Sequence, residues 1–504
     1  MLYEGCKTAE GQLSPTTREI LDEFNLLNGH PWADTARDPM TTYYACLHAV
    51  VRGERPRSVL EIGTAFGMST ATLLKSITDP ELLVSLDLGV IGPKLGWSGD
   101  NVEFVQNRLL DWCERRHLPS ERIRLYRANT QPSGKGDNVG LGVDVPHWSR
   151  NPELVRLLQW HDFDVVFVDG KHTKDGLIND LETFWPFVGP GGLVICDDIH
   201  DPAKYQGLFS WVGDTWESFH SFVDNYRADI AEHYIWEFPH VPPSGKAGVR
   251  PFGLIRKTAS RYPLAASSGF DMFDSEGAMK INRARQDHLA SLGLDLARKS
   301  VLEVGAGVGW HTGFFERLGC RIVSTDGRPE NVREHLIRFP YRKGRVFVVD
   351  LAVEGSHKKF GDFDIVYCYG TLYHLADPDL CMRELASQCS ELFLLESCVN
   401  PADNGEINLV SEDPDNPNQS LLGVGCRPGR DWIMKELRKH FPFVYVTVAQ
   451  PDHPDFDLSW PASKPNNLSQ LSRSVFVASR SEVQLSTLSV SLLSEQTRVK
   501  PVPL

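Results

Sequence analysis

The sequence predicts two tandem α/β domains, each a doubly wound, Rossmann-like sheet of seven strands with helices on both faces. Three observations carry this. The segment VLEIGTAFGMST from Val59 returns as VLEVGAGVGWHT from Val301, 242 residues later. After each copy an apolar run closes on an acid, LLVSLD on Asp87 and RIVSTD on Asp326. Further on, FDVVFVDG from Phe163 is answered by FDIVYCYG from Phe363, an offset of 200. Order is kept while spacing contracts, as when one of two copies of a fold carries an inserted loop, here between Ala128 and Asp162.

The elements follow in order. Ser14 as cap and Pro15 at the first helical position predict an N-terminal helix that stops at Asn28-Gly29. Short β-branched runs then alternate with helical periodicity, the pattern of parallel strands joined by crossover helices. In the first half strands are expected near 57–62, 82–87, 122–127, 163–169, 192–197, 230–236 and 251–257. In the second they fall near 300–304, 321–325, 345–349, 363–369, 390–397, 443–449 and 473–479. The linker-like ASRYPLAASSG, from Ala259, separates a first domain at 1–258 from a second at 268–480, with the linker proper at 259–267. The Ser/Leu-rich stretch 481–504 reads as a flexible tail or a docking strand.

Composition bounds the partners. Lys plus Arg number 52 against 66 Asp plus Glu, a net charge of -14, so nonspecific nucleic-acid binding is disfavoured. The chain shows neither a membrane-length apolar run nor a secretory signal pattern, which gives the expectation of a soluble cytoplasmic protein with no membrane partner. The 10 cysteines stand singly, without Cys-x-x-Cys, and read as reduced packing residues. Oligomeric state has no signature here.

A strand ending in Glu-x-Gly and turning through further glycines into a helix lets backbone approach a nucleotide-like ligand and points helix N–H groups at it. Neither copy has the Gly-x-Gly-x-x-Gly dinucleotide spacing: the first offers Gly63 and Gly67, the second Gly305, Gly307 and Gly309. With Glu61 and Glu303 two residues before the first glycine, and Asp87 and Asp326 downstream, both halves resemble the class I S-adenosylmethionine-dependent methyltransferases. The resemblance spans nearly the whole chain, twice. It implies S-adenosyl-L-methionine as cofactor, the glycines against its amino-acid part, Asp87 and Asp326 on ribose hydroxyls, and Asp350 on the adenine side.

The first half carries a further pattern. Strand four ends in Asp169 and strand five in Asp197-Asp198, and in a doubly wound sheet the carboxyl ends of adjacent strands lie side by side. Three converging carboxylates call for a hard divalent cation such as Mg²⁺. The intervals of 28 and 29 residues, with the tract DGKHTKDGLINDLETFWPFVGPGG, resemble metal-dependent O-methyltransferases of the catechol and macrolide-sugar types and the cephalosporin-hydroxylase-like group. His172, three residues after Asp169, stands where the sugar type carries its general base; the resemblance implies a hydroxyl acceptor on a sugar or glycosylated natural product.

The second half has Tyr369, Tyr373 and His374 in place of Asp169, and Glu396, Ser397 and Asn400 after strand five. This resembles metal-independent class I methyltransferases acting on small molecules, where positioning does most of the work. His374 reads as a structural residue below the cofactor, and the polar stretch 401–430 as an acceptor lid or a surface insert. Two alternatives stay open: a second half that serves only as a binding or scaffold module, and a nicotinamide-dependent oxidoreductase on a related sheet.

Overall fold

A computed structural model describes residues 19, 22–24, 41–89, 101–131, 145–205, 212–240, 248–259, 267, 269–402, 405–460, 468 and 472–500. The N-terminal helix expected over 15–28 lies almost wholly outside them. The chain divides into two compact units, Met1–Leu154 with Trp160–Ser260 and Pro503–Leu504, and Val155–Gln159 with Arg261–Val502.

In the first unit α1 (Thr41–Glu54) precedes β1 (Ser58–Ile62), α2 (Met68–Ser76), β2 (Leu82–Asp87), α3 (Asn101–Arg116) and β3 (Ile123–Arg127). Then come β4 (Phe163–Val168), α4 (Lys174–Phe184), β5 (Val188–Asp197), α5 (Val212–Asn225), β6 (Ile230–His240) and β7 (Gly248–Lys257). The strand order is β3-β2-β1-β4-β5-β7-β6. β7 runs antiparallel to β5 and β6, whereas the other pairings are parallel. The order reverses at β1, so the carboxyl ends of β1 and β4 flank the crevice where doubly wound sheets bind ligands. β1 is buried along its whole length, as the interior of a sheet covered on both faces requires. Thr173 starts α4 by accepting the Gly176 N–H on its side chain, with Asp175 in the first turn.

The second unit repeats this plan. α6 (Glu276–Ser291), capped by Ser275, leads into β8 (Ser300–Val304), α7 (Thr312–Arg317), β9 (Arg321–Asp326), α8 (Pro329–Arg338) and β10 (Val346–Val348). β11 (Phe363–Tyr369), α9 (Pro378–Ser387) and β12 (Cys389–Cys398) follow, then a short hairpin of β13 (Leu409–Ser411) and β14 (Val424–Cys426). α10 (Arg430–His440), β15 (Phe443–Thr447), β16 (Ala449–Gln450) and β17 (Arg473–Ser479) complete the plan. The order β10-β9-β8-β11-β12-β17-β15 gains an eighth strand, β18 (Leu488–Ser489). Of the two readings of the tail, the structure replaces the flexible one with the docking strand: β18 pairs with β15, β19 (Thr497–Arg498) pairs with β16, and Gln496 is buried with its amide on Thr447 O. The Ser/Leu composition hid this because such short pairings satisfy backbone groups without an alternating apolar pattern.

The Phe-Asp pair that opens β4 and β11 has one job in both units. Asp164 Oδ2 accepts the N–H groups of Arg57 and Ser58, and Asp364 Oδ2 accepts that of Ser300, fixing the entry of the central strand. The nine described cysteines are buried thiols, and no helix among the described residues is long and apolar enough to cross a membrane.

Candidate active sites

In the first unit β1 carries Glu61 and turns at Gly63, whose φ is 98°. A Cβ at Gly63 would stand 2.0 Å from the backbone oxygen of Asp169, so only glycine lets this turn pass against the end of β4. Gly67 caps α2 at φ 82° and lies against Val105 of α3, where a Cβ would come within 2.5 Å. Asp87 Oδ2 accepts the N–H groups of Thr64 (3.0 Å) and Ala65 (2.9 Å), and Oδ1 accepts Gly89 N–H (2.7 Å) and Asn101 Nδ2 (3.0 Å). The expected ribose acid therefore braces the glycine loop.

Glu61 is fully buried. Its Oε2 accepts Thr70 Oγ1 (2.6 Å) and Ser85 Oγ (2.5 Å), and its Oε1 has no hydrogen-bond partner. Glu303 repeats this with Thr312 (2.6 Å) and Ser324 (2.7 Å), again leaving Oε1 without a partner. Burial pushes the Glu61 carboxyl up to about 7, outweighing the hydroxyls of Ser69, Ser85 and Thr70, and burial raises Glu303 as well. Because the folded pKa exceeds the unfolded one, the fold prefers the protonated acid, and burying the charge costs stability as pH rises from about 4.5 through 7. Glu61→Gln should therefore leave the urea midpoint unchanged near pH 4 and stabilise the first unit by about 3 kcal/mol at pH 8. An equal shift at both pH values would contradict a buried charge at this position.

At the ends of β4 and β5, Asp169, His172 and Asp197 present ligand atoms within 4.8 Å of one another. Asp198, expected as the third carboxylate ligand, is not in this group. Asp198 follows the last residue of β5 at φ 56°. Its Oδ1 lies 3.3 Å from His200 Nε2 and 3.1 Å from Arg250 Nε, and its Oδ2 lies 3.5 Å from His172 Nδ1. The other ring nitrogen of His172 is 3.3 Å from Asp169 Oδ1. Burial favours a neutral imidazole, but the bond to Asp169 and the charges of Asp169, Asp198 and Asp197 win, raising His172 to about 9. His172 thus sits between two acidic side chains, one at each ring nitrogen. Burial and the neighbouring Asp197 push Asp169 up, whereas His200, Arg250 and His172 hold Asp198 at about 2 against its burial.

Arg250 was not foreseen. Its Nη2 donates to Asp197 Oδ2 at 2.8 Å, and its guanidinium lies 4.8 Å from the Tyr43 ring centroid. The register pairs Asp197 with Phe252, which puts Arg250 beside the end of β5. Its only trace in the sequence is a basic residue just before a predicted apolar strand.

The second unit encloses a cavity of about 620 Å³ lined by Glu303, Gly305, Gly307, Asp326 and Asp350 among others. A Cβ on Gly305 (φ 67°) would meet Thr371 Oγ1 at 1.9 Å. Gly309, expected beside the cofactor, instead lies against His335 of α8, 2.3 Å from where its Cβ would be. That close helix contact needs glycine for packing. Asp326 Oδ2 accepts Gly307 N–H (2.9 Å), and Oδ1 accepts Arg328 N–H (2.9 Å) and Asn331 Nδ2 (3.2 Å). Burial raises its carboxyl. At the far end, buried Glu396 sits between Arg285 Nη2 (2.8 Å) and Arg473 Nη1 (3.0 Å), and Arg473 also donates to Tyr373 OH. Glu396 stays below the usual carboxylate range despite burial because both guanidiniums face it. Among the described residues this unit shows no cluster like that of Asp169, His172 and Asp197.

These residues fit S-adenosylmethionine. The volume lies within the ~300–1,000 Å³ of small-molecule sites, the turn at Gly305 opens the backbone, and Asp326 keeps an acceptor position for a hydroxyl. Strand order, glycine turn and acid together define the class: two tandem domains with the class I methyltransferase fold. Residues 60–199 match one family model described as a methyltransferase domain, and residues 302–390 match another.

Among curated proteins the chain is similar to a ubiquinone biosynthesis O-methyltransferase of Xanthomonas oryzae pv. oryzae, 34% identical over 125 residues, or 23% of this chain and 49% of the relative. A counterpart from Xanthomonas euvesicatoria pv. vesicatoria is 33% identical over 126 residues. The chain thus spans about half the length of the curated relatives it matches. Among solved structures, the N-terminal domain of EvdMO1 in the presence of SAH and D-fucose is 19% identical with a TM-score of 0.31, over 41% of this chain and 84% of that one. An O-methyltransferase from Bacillus cereus in complex with SAH is 15% identical with a TM-score of 0.32, over 51% and 100%.

Proposed function

We propose that the chain is an S-adenosylmethionine-dependent methyltransferase with two catalytic domains, the first methylating a hydroxyl of a sugar or glycosylated natural product with help from a divalent cation. The observation that carries the reading is the convergence of Asp169, His172 and Asp197 beside the turn at Gly63, where the carboxyl ends of β1, β4 and β5 meet. Asp169 and Asp197 would hold the cation, and Mg²⁺ suits such an oxygen donor set, which leaves the His172 imidazole off the metal. Bound there, it supplies positive charge that lowers the pKa of an acceptor hydroxyl. Once the carboxylate charge is countered, His172 loses its reason to stay protonated, and its Nδ1, on the Asp198 side, can take a proton near neutral pH. The curated relatives named as O-methyltransferases support an oxygen acceptor.

Transfer from methyl-labelled cofactor to monosaccharide and catechol probes tests this. In the full chain carrying Gly305→Val, which silences the second site, excess EDTA and Asp169→Asn should each lower transfer by at least ~10²-fold without unfolding the first unit. Full transfer in EDTA would overturn the metal-assisted reading.

A further inference from the structure

The hairpin insert of the second unit delivers a carboxylate to the cavity wall. His374 follows β11 in a short 3-10 turn and lines the cavity, its side chain 19% exposed. Its Nδ1 is 2.5 Å from Glu412 Oε2, which stands just after β13 and is 5% exposed. Glu412 is itself fixed: Oε2 accepts Ser420 N–H at 2.8 Å, and Arg427 approaches Oε1 at 3.4 Å. The insert is anchored in turn, since Arg328 donates to the carbonyls of Pro414 (2.8 Å) and Ser420 (3.0 Å), and Asn331 to that of Pro417 (3.0 Å). A Cβ on Gly425 would stand 2.5 Å from Tyr373 O, so β14 lies tightly on the turn that carries His374.

An imidazole whose Nδ1–H is held by a buried carboxylate presents Nε2 as an acceptor, and the carboxylate steadies the imidazolium that forms. We propose, resting on the methyltransferase reading above, that His374 is the general base of the second site, that Glu412 is its positioning residue, and that the acceptor there is a hydroxyl. An amine free near pH 7 needs no such pair, whereas a hydroxyl must lose its proton as its oxygen attacks. The acceptor oxygen forms a bond to the methyl carbon while its proton passes to His374 Nε2. The carbon–sulfur bond breaks with its electron pair going to sulfur, which turns from sulfonium to neutral thioether, and the imidazolium then releases the proton to water. The hairpin of β13 and β14 thereby acts as part of the site through Glu412.

The test uses the full chain carrying Gly63→Val, which silences the first site, with catechol and methyl glucoside as hydroxyl probes and benzylamine as the amine probe. Transfer to a hydroxyl probe should fall on the acid limb of its pH profile, where a general base is protonated. His374→Gln, which can still donate to Glu412 and so keeps the pin, should lower it roughly 10²- to 10⁴-fold and flatten that limb. Glu412→Gln should move the limb to lower pH, because the carboxylate that steadies the imidazolium is gone. SAH affinity by calorimetry should stay within about twofold in both variants. A limb unchanged in His374→Gln, transfer to benzylamine alone, or cofactor binding without transfer to either hydroxyl probe would each overturn the proposal. Loss of SAH binding in His374→Gln would return the pair to a structural pin, and failure of the parent chain to bind SAH would overturn the reading beneath it.

Discussion

Gly63→Val and Gly305→Val should each remove one of two cofactor sites and spare the other, read by calorimetric titration with SAH. Both glycines stand at positive φ, 98° and 67°, where a β-branched residue is strained. Space is also closed to them. At Gly63 the obstacle is the backbone oxygen of Asp169 at 2.0 Å, which no rotamer change can clear. At Gly305 the obstacle is Thr371, with Oγ1 at 1.9 Å, Cγ2 at 2.7 Å and Cβ at 2.8 Å, so rotating the threonine does not help. Either variant must push the turn off the end of its neighbouring strand, and affinity at that site should fall by more than about 100-fold, over 2.7 kcal/mol. The parent should titrate with about two sites and each variant with about one. Loss of both from a single change would refute two self-contained sites.

Arg250→Met should destabilise the first unit by about 3 kcal/mol in EDTA, because it leaves Asp197, 1% exposed, and Asp198, 8% exposed, without their guanidinium. Arg250→Lys should recover only part of this, since a point charge cannot span both carboxylates as the fork does. Millimolar Mg²⁺ should restore much of the loss in Arg250→Met and shift the parent less, because in the variant a divalent cation is the remaining answer to the carboxylate charge. Urea unfolding of the full chain with and without Mg²⁺ checks this. A variant as stable as the parent in EDTA would show that the guanidinium does not carry the cluster's charge.

The fold was legible because its signals are local and repeated. Two copies of a Glu-x-Gly turn, two acids closing a second strand, and two Phe-Asp openings each reflect a constraint met within a few residues, and the strand boundaries follow from apolar runs buried on both faces. The Gly63 and Gly305 turns were readable for the same reason, since only glycine takes those angles against a neighbouring strand.

What the sequence by itself determined is therefore the class: two doubly wound domains, each with a glycine turn and acids at the carboxyl end of its sheet. What only the tertiary structure decided is which charges meet there. Arg250 reaches Asp197 across 53 residues of sequence, Arg473 reaches Glu396 across 77, and Glu412 reaches His374 across 38. None of these pairs has a spacing rule, because strand pairing and a folded-back hairpin set the distances. The same holds for Asp198, adjacent to Asp197 in sequence yet turned by a single left-handed residue toward histidines and an arginine. Backbone periodicity is written along the chain, whereas electrostatic partnership in a buried site depends on which strand ends the fold brings side by side.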